Sequence, residues 1–323
     1  MKAAVYYETG APDVFRYEDV PDPVAGPGDI LIDVEAVSIE GGDTLNRLGG
    51  ELAEVPHIVG YQCAGNVVEV GAGVTDFAAG DRAVTVGLDG SHAERRAVPA
   101  GFAWKVPDGV RTDEAACVPV PFGTADDCLF EFGRLQAGET ALVHAGAGGV
   151  GIAAIQMAKR AGARVLATAS RGDRLERLRE LGLDEGINYA THDFVAEVRR
   201  LTDGRGVDVI VDSVGGAILQ GSLQALAYRG RCVTVGDAGR APAEHLDVST
   251  LRPNNQTLSG YFMGAELLFA SSRVRGLIAG HLDAIARGEL KVVIDRAFPL
   301  ADAAAAHAYI ESRQAFGRVL LVP

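Results

Sequence analysis

The sequence has no excess of positive charge: 30 lysines and arginines stand against 43 aspartates and glutamates, a formal net charge of -13. That balance excludes nucleic acid and anionic membranes as general partners, and an anionic cofactor would need cations placed locally. Long apolar runs are also missing. No stretch approaches a membrane span, and Met1-Lys2-Ala3-Ala4-Val5-Tyr6-Tyr7-Glu8 lacks the apolar segment of a secretory signal, so a cytoplasmic protein is expected. Cysteine is scarce. Cys63, Cys117, Cys128 and Cys232 are scattered in apolar settings without a Cys-x-x-Cys pair, which predicts small buried hydrophobes, no disulfide and no structural zinc. With 323 residues, 48% of them hydrophobic, the chain suits two domains.

The most informative segment is Ala145-Gly146-Ala147-Gly148-Gly149-Val150-Gly151. It follows a short apolar run at 140–145, expected to be a strand buried on both faces, and opens a helical pattern over 150–160 that has cations in its last turn. Gly162 lies just past that pattern as a C-cap. In such a turn Gly146 permits the bend, Gly148 lets the backbone approach a pyrophosphate, and Gly151 lets helix and strand pack closely. The amides of the first helical turn, around Gly149 and Val150, then face the phosphates.

A second strand is expected at 164–169. An acidic residue about twenty positions after the glycines would mark a site for NAD. None ends this strand. It runs instead into Ser170-Arg171-Gly172-Asp173-Arg174, where a hydroxyl and two guanidinium forks suit the 2′-phosphate of NADPH. The alternative is that Arg171 and Arg174 begin the solvated face of a charged helix.

Residues 1 to about 115 read as strands and turns, with polar and apolar residues alternating over 30–37. From about 120 strands and helices alternate, with segments at 196–201, 207–211, 220–227 and 232–235, which predicts a doubly wound parallel sheet. Beyond 265 come a helical pattern at 274–286, a short strand at 292–294, an alanine-rich helix at 302–312 and a last strand at 318–322.

With these residues in view, the chain resembles the medium-chain dehydrogenase/reductase superfamily, in its zinc-independent quinone oxidoreductase branch (the zeta-crystallin type). The resemblance runs from Met1-Lys2-Ala3-Ala4-Val5 through Gly80-Asp81-Arg82, the glycine loop and Asp212-Ser213-Val214-Gly215-Gly216 to Gly317-Arg318-Val319. It implies an α/β protein with a GroES-like β-rich catalytic domain at 1–120, a Rossmann NADPH-binding domain at 121–264, and a return at 265–323 that completes the first. It also implies a homodimer. At matching positions it implies cofactor contacts at Thr124, Ala147, Tyr189, Ser213, Val235, Gly236, Phe262, Met263 and Arg318. Tyr189 could instead end a strand, and Arg318 could be a solvated edge cation.

The zinc branch needs about three soft ligands and an open position. Its Gly-His-Glu is here Gly60-Tyr61-Gln62, its cysteine position holds Glu40, and His57, His92 and His144 lack ligand spacing, so no metal is expected. Many quinone oxidoreductases carry asparagine where Glu40 stands, with bulkier residues than Gly41-Gly42 after it. The glycines are expected to enlarge the substrate pocket. Tyr61 is a candidate donor to a developing oxyanion, and Glu40 one if burial keeps it protonated. Alternatively Glu40 faces solvent, the glycines serve a turn and Tyr61 only packs. The expected activity is hydride transfer from NADPH to a quinone or α,β-unsaturated carbonyl; the rivals are an enoyl-thioester or polyketide-tailoring reductase and a non-catalytic NADPH-binding protein.

Overall fold

The chain opens with β1 (Lys2–Val5), paired antiparallel with β2 (Arg16–Asp19). There follow β3 (Asp29–Ser38), α1 (Gly41–Gly49), β4 (Gln62–Val70), β5 (Arg82–Val86), β6 (Arg95–Pro99) and β7 (Ala103–Lys105). The computed structural model describes every residue except 53 and 241–245. The chain forms two units, Met1–Gly123 with Met263–Pro323, and Thr124–Phe262.

β3 departs from the alternation expected of it. Ile30, Ile32 and Val34 enter the same apolar cluster as Val37 and Ile39, although the two sets differ in parity. A register shift between Val34 and Ala36 explains this: one extra residue flips the strand's phase, so both halves face the core. Each such side chain contributes roughly 1.5–3 kcal/mol through burial.

The second unit runs β8 (Thr140–Val143), α2 (Gly149–Arg160), β9 (Arg164–Ala169), α3 (Gly172–Arg179), β10 (Glu185–Asn188), α4 (Phe194–Leu201), β11 (Val207–Asp212), α5 (Gly216–Ala225), β12 (Leu226–Thr234) and β13 (Thr257–Gly260). The strands form one parallel sheet in the order β10-β9-β8-β11-β12-β13. Every residue of β8 and β11 is buried, as in a parallel strand covered on both faces. Helices supply the cover: α4 buries Phe194 and Val198, one turn apart on a single face. The strand order reverses between β8 and β11, and sheets of this kind bind ligands outside the carboxyl ends of the strands at that reversal.

The chain returns to the first unit with α6 (Ser271–Ala286), which buries Val274, Ile278 and Leu282 at helical spacing. Then come β14 (Ile294–Pro299), α7 (Ala303–Glu311) and β15 (Arg318–Val322). β15 pairs with β3, giving a sheet in the order β14-β15-β3-β4-β5-β7 with β6 also on β3. The strand expected at 292–294 instead begins at Ile294, because the Val293 carbonyl accepts from the Arg318 amide at the head of the pairing. All four cysteines are free and buried. Among the described residues no helix is long and apolar enough to cross a membrane.

Candidate active site

In the second unit, the turn after β8 is built by close backbone approach. A β-carbon on Gly151 would lie 2.5 Å from the Ala145 carbonyl oxygen, and one on Gly146 would lie 2.9 Å from the β-carbon of Ala167. Glycine at both places brings α2 and β9 against the loop, which holds Ala147 buried. Gly148 is the N-cap of α2 and supplies no capping side chain. The first turn, with Gly149 and Val150, therefore offers its amides and the positive end of the helix dipole to an anion.

The end of β9 lies beside this turn, where the Gly146 amide donates to the Thr168 carbonyl at 2.9 Å. Ser170 is half-buried there and Arg171 is the exposed N-cap of α3. Arg171 lays its fork on Asp173, with Nε to Oδ1 at 2.9 Å and Nη2 to Oδ2 at 2.8 Å, and holds that carboxyl below its ordinary range. Arg174 is buried. The Tyr189 amide donates to the Ala169 carbonyl at 3.1 Å, which sets this half-exposed ring at the same strand end.

Across the reversal, Asp212 closes β11. Its Oδ1 accepts from the amides of Val214 at 2.8 Å and Gly215 at 3.0 Å, and its carbonyl accepts from Val235, so Ser213, Val235 and Gly236 share one sheet edge. Thr124 is buried against Tyr261, whose hydroxyl donates to Asp127 Oδ2 at 3.0 Å. Phe262 is exposed at the end of this unit, and Met263, buried, begins the first unit's return.

In the first unit, Glu40 is the N-cap of α1, and its amide donates to Asp43 Oδ2 at 2.8 Å in a reciprocal cap. Its side chain is buried rather than solvated. Glu40 Oε1 accepts from Gln62 Nε2, from Ser38 Oγ at 3.4 Å and from Arg318 Nη2. Arg318 also donates from Nε to Ser38 Oγ at 3.1 Å and from Nη2 to the Ile39 carbonyl. Burial pushes the Glu40 carboxyl up to about 7 against the pull of Arg318, and pushes Asp43 up to about 8. Two of the alternatives fall here: Glu40 does not face solvent, and Arg318 is not a solvated edge cation but turns its fork inward on Ser38, Ile39 and Glu40.

Tyr61 stands immediately before β4, with its amide donating to Asp43 Oδ1 at 3.2 Å and its half-buried hydroxyl accepting from Asn46 Nδ2 at 3.1 Å. Burial raises the phenol above its usual value. The room left by Gly42 is not a substrate pocket: the Tyr61 ring fills it, with Cε2 only 2.4 Å from where a Gly42 β-carbon would sit. Gly41 has open space around its own β-carbon position. Sequence reasoning missed Asn46, Asp43, Gln62 and Ser38. The pattern Glu40-x-x-Asp43 is a capping signal that could have found the second of these.

Residues 26–108 match the alcohol dehydrogenase GroES-like domain and residues 149–279 the zinc-binding dehydrogenase family. The chain is 35% identical to a 2-haloacrylate reductase of a Burkholderia species, over 100% of this chain and 99% of that protein. It is similar in structure to a quinone oxidoreductase of Pseudomonas syringae pv. Tomato DC3000, with TM-score 0.94 at 30% identity, covering 100% of this chain and 99% of the other. The Escherichia coli quinone oxidoreductase complexed with NADPH gives TM-score 0.95 at 27% identity, with both chains covered in full at 100%.

Proposed function

The chain belongs to the zinc-independent quinone oxidoreductase branch of the medium-chain dehydrogenase/reductase superfamily, and on that premise we propose that it reduces quinones or α,β-unsaturated carbonyl compounds with NADPH. The observation that carries this reading is the cradle after β8. Added β-carbons at Gly146 and Gly151 would collide with their neighbours, no side chain caps α2, and no acid ends β9. These residues suit a dinucleotide pyrophosphate, and we assign Ser170 and Arg171 to a 2′-phosphate, Arg174 and Tyr189 to its surroundings, and Ser213, Val235 and Gly236 to the edge. Ala147, Gly148, Gly149 and Val150 line the turn. Thr124, Phe262 and Met263 are assigned to the nicotinamide end, and Arg318, whose fork is taken by Ser38, Ile39 and Glu40, is left out of the proposed contacts.

A zinc ion does not fit, although one matched family is described as zinc-binding. Among the described residues no group of three histidines, cysteines, aspartates or glutamates could hold a metal, and Glu40 is committed to Arg318.

When bound, NADPH supplies the hydride that adds to the electrophilic carbon of the conjugated substrate. Tyr61 answers the negative charge left on the substrate oxygen by donating from its hydroxyl, an interaction that strengthens as the charge develops. Glu40 acts as a positioning residue: with Arg318 and Gln62 it fixes the start of α1 and of β4, and Asp43 holds the Tyr61 amide.

The test is NADPH consumption against a panel of small quinones, enones, 2-haloacrylates and enoyl thioesters, before and after dialysis against a strong chelator. Turnover of quinones or enones that survives chelation supports the proposal, preference for enoyl thioesters redirects it, and binding without turnover overturns it. A cytoplasmic homodimer is the assembly proposed, to be checked by sedimentation and fractionation.

A further inference from the structure

One face of α1 meets the Tyr61 ring twice. Gly42 and Asn46 are four residues apart and so lie one above the other on the helix. Beneath the ring, Gly42 has no β-carbon, and one placed there would lie 2.6 Å from the Tyr61 hydroxyl oxygen. One turn on, Asn46 reaches that same oxygen with Nδ2 at 3.1 Å. The two residues make a seat: the first admits the ring and the second holds its hydroxyl.

The direction of this hydrogen bond matters. A phenol oxygen carries one proton and accepts through its lone pairs, and an amide NH2 can only donate. With Asn46 donating, the phenol proton must point elsewhere. Among the described residues the Tyr61 hydroxyl has Asn46 as its one partner and no acceptor for its own proton. The hydroxyl of this half-buried residue is therefore left with a proton committed to none of the described residues.

We propose that Asn46 is a positioning residue that fixes the Tyr61 hydroxyl with its proton directed at the substrate oxygen. The inference rests on the reading of Tyr61 as the donor. A residue with only acceptors at position 46 would reverse the hydrogen bond, drawing the phenol proton toward α1 and away from the substrate. Asn46→Asp makes that change with almost no change of shape, and it does so only when the new carboxylate is ionised.

The experiment compares Asn46→Asp and Asn46→Leu in the wild-type and Tyr61→Phe backgrounds, measuring kcat and KM across pH with the quinone or enone that turns over best. Asn46→Asp is expected to show a new limb in its pH profile: kcat near wild type while the carboxylate is protonated, falling about tenfold or more as it ionises, with KM for NADPH unmoved. Asn46→Leu is expected to lower kcat by about tenfold without that limb. Neither substitution should alter kcat further once Tyr61 is phenylalanine. An Asn46→Asp profile that follows wild type while Tyr61→Phe is impaired overturns the role of Asn46 and leaves Tyr61 standing. Wild-type rates in Tyr61→Phe remove the donor itself, and with it this inference.

Discussion

A β-carbon on Gly42 would lie 2.4 Å from Cε2 of Tyr61 and 2.8 Å from its Cζ, so the helix and the ring occupy space that only glycine leaves open. This relationship reassigns Gly42 from substrate room to ring support. Gly42→Ala must push the ring off α1, and with it the hydroxyl. A shift of about 1 Å at a reacting group costs on the order of a hundredfold in rate. We expect kcat to fall by roughly ten- to a hundredfold on small quinones and bulky enones alike. Steady-state rates on substrates of graded size decide it: a selective loss on bulky substrates would restore the pocket interpretation.

Tyr61→Phe removes the donor and keeps the ring. If the hydroxyl meets charge that develops only in the transition state, kcat should fall by about one to three decades while the NADPH dissociation constant stays close to wild type. Fluorescence titration with NADPH and single-turnover rates separate the two quantities. A proportionate loss in both would mark the hydroxyl as a packing contact.

These two sites show what the sequence could and could not convey. The glycine loop was legible because its chemistry is local: strand, turn and helix follow one another within 140–160, and β-carbons added at Gly146 and Gly151 would strike a residue of the same motif or its neighbouring strand. Glu40 and Tyr61 were visible as candidates, but their partners were not. Arg318 reaches Glu40 across 278 positions, and only the pairing of β15 with β3 brings them together. Asn46 sits on a short helix fifteen positions from Tyr61, and nothing in its neighbours' spacing signals that contact. The alternation expected in β3 failed for a similar reason, since a bulge changes the phase without changing the composition.

Arg171 rests on Asp173 as an exposed pair, and solvent screening leaves such a pair little net strength. A phosphate hydrogen-bonded to a charged donor contributes about 1.5–3 kcal/mol, so a 2′-phosphate should draw the guanidinium away. Arg171→Ala is expected to raise the NADPH dissociation constant by roughly one to two decades and to leave NADH nearly unchanged. Asp173→Asn, which frees the fork, should leave NADPH binding equal or tighter. Isothermal titration with both cofactors checks this, and equal losses for NADPH and NADH in Arg171→Ala would refute the assignment.

The buried pair of Glu40 and Arg318 makes a prediction about stability. Removing Glu40 strands the Arg318 guanidinium with little water to solvate it, at a cost of about 3–5 kcal/mol, whereas removing Arg318 leaves a carboxyl that burial already raises to about 7 and that can neutralise itself with a proton. Glu40→Gln should lower the urea midpoint markedly, and Arg318→Met by less. The double variant leaves no charge stranded, so it should be destabilised by much less than the sum of the two. Additive losses would show that the two groups do not act as a pair.

His92 predicts a pH dependence whose sign can be worked out. Its Nε2 lies 3.0 Å from His307 Nε2, within the first unit, and burial together with the Arg96 charge lowers its pKa to about 3. Two imidazoles hydrogen-bonded to each other need an accepting nitrogen, which a doubly protonated pair lacks. Above about pH 6.5 the ring is neutral in both states and its contribution is fully present. As the pH falls from there toward 3, the unfolded chain binds a proton that the folded chain refuses, so stability drops by about 1.4 kcal/mol per pH unit. Glu40 and Asp43 act in the opposite sense, because burial raises them to about 7 and 8 and folding then weakens as the pH climbs from their unfolded values. His144, lowered by burial to about 4, adds a second slope of the same sign as His92. The wild-type curve is therefore a sum, and the difference between wild type and His92→Gln isolates the one group. Urea unfolding at pH 7, 6 and 5 should show the variant losing less stability than wild type, by a difference that is about 0.7 kcal/mol between pH 7 and 6 and grows toward the limit of about 1.4 kcal/mol per unit below pH 6. Parallel curves would mean that His92 takes up its proton without unfolding, and the buried imidazole pair would then have to open locally instead.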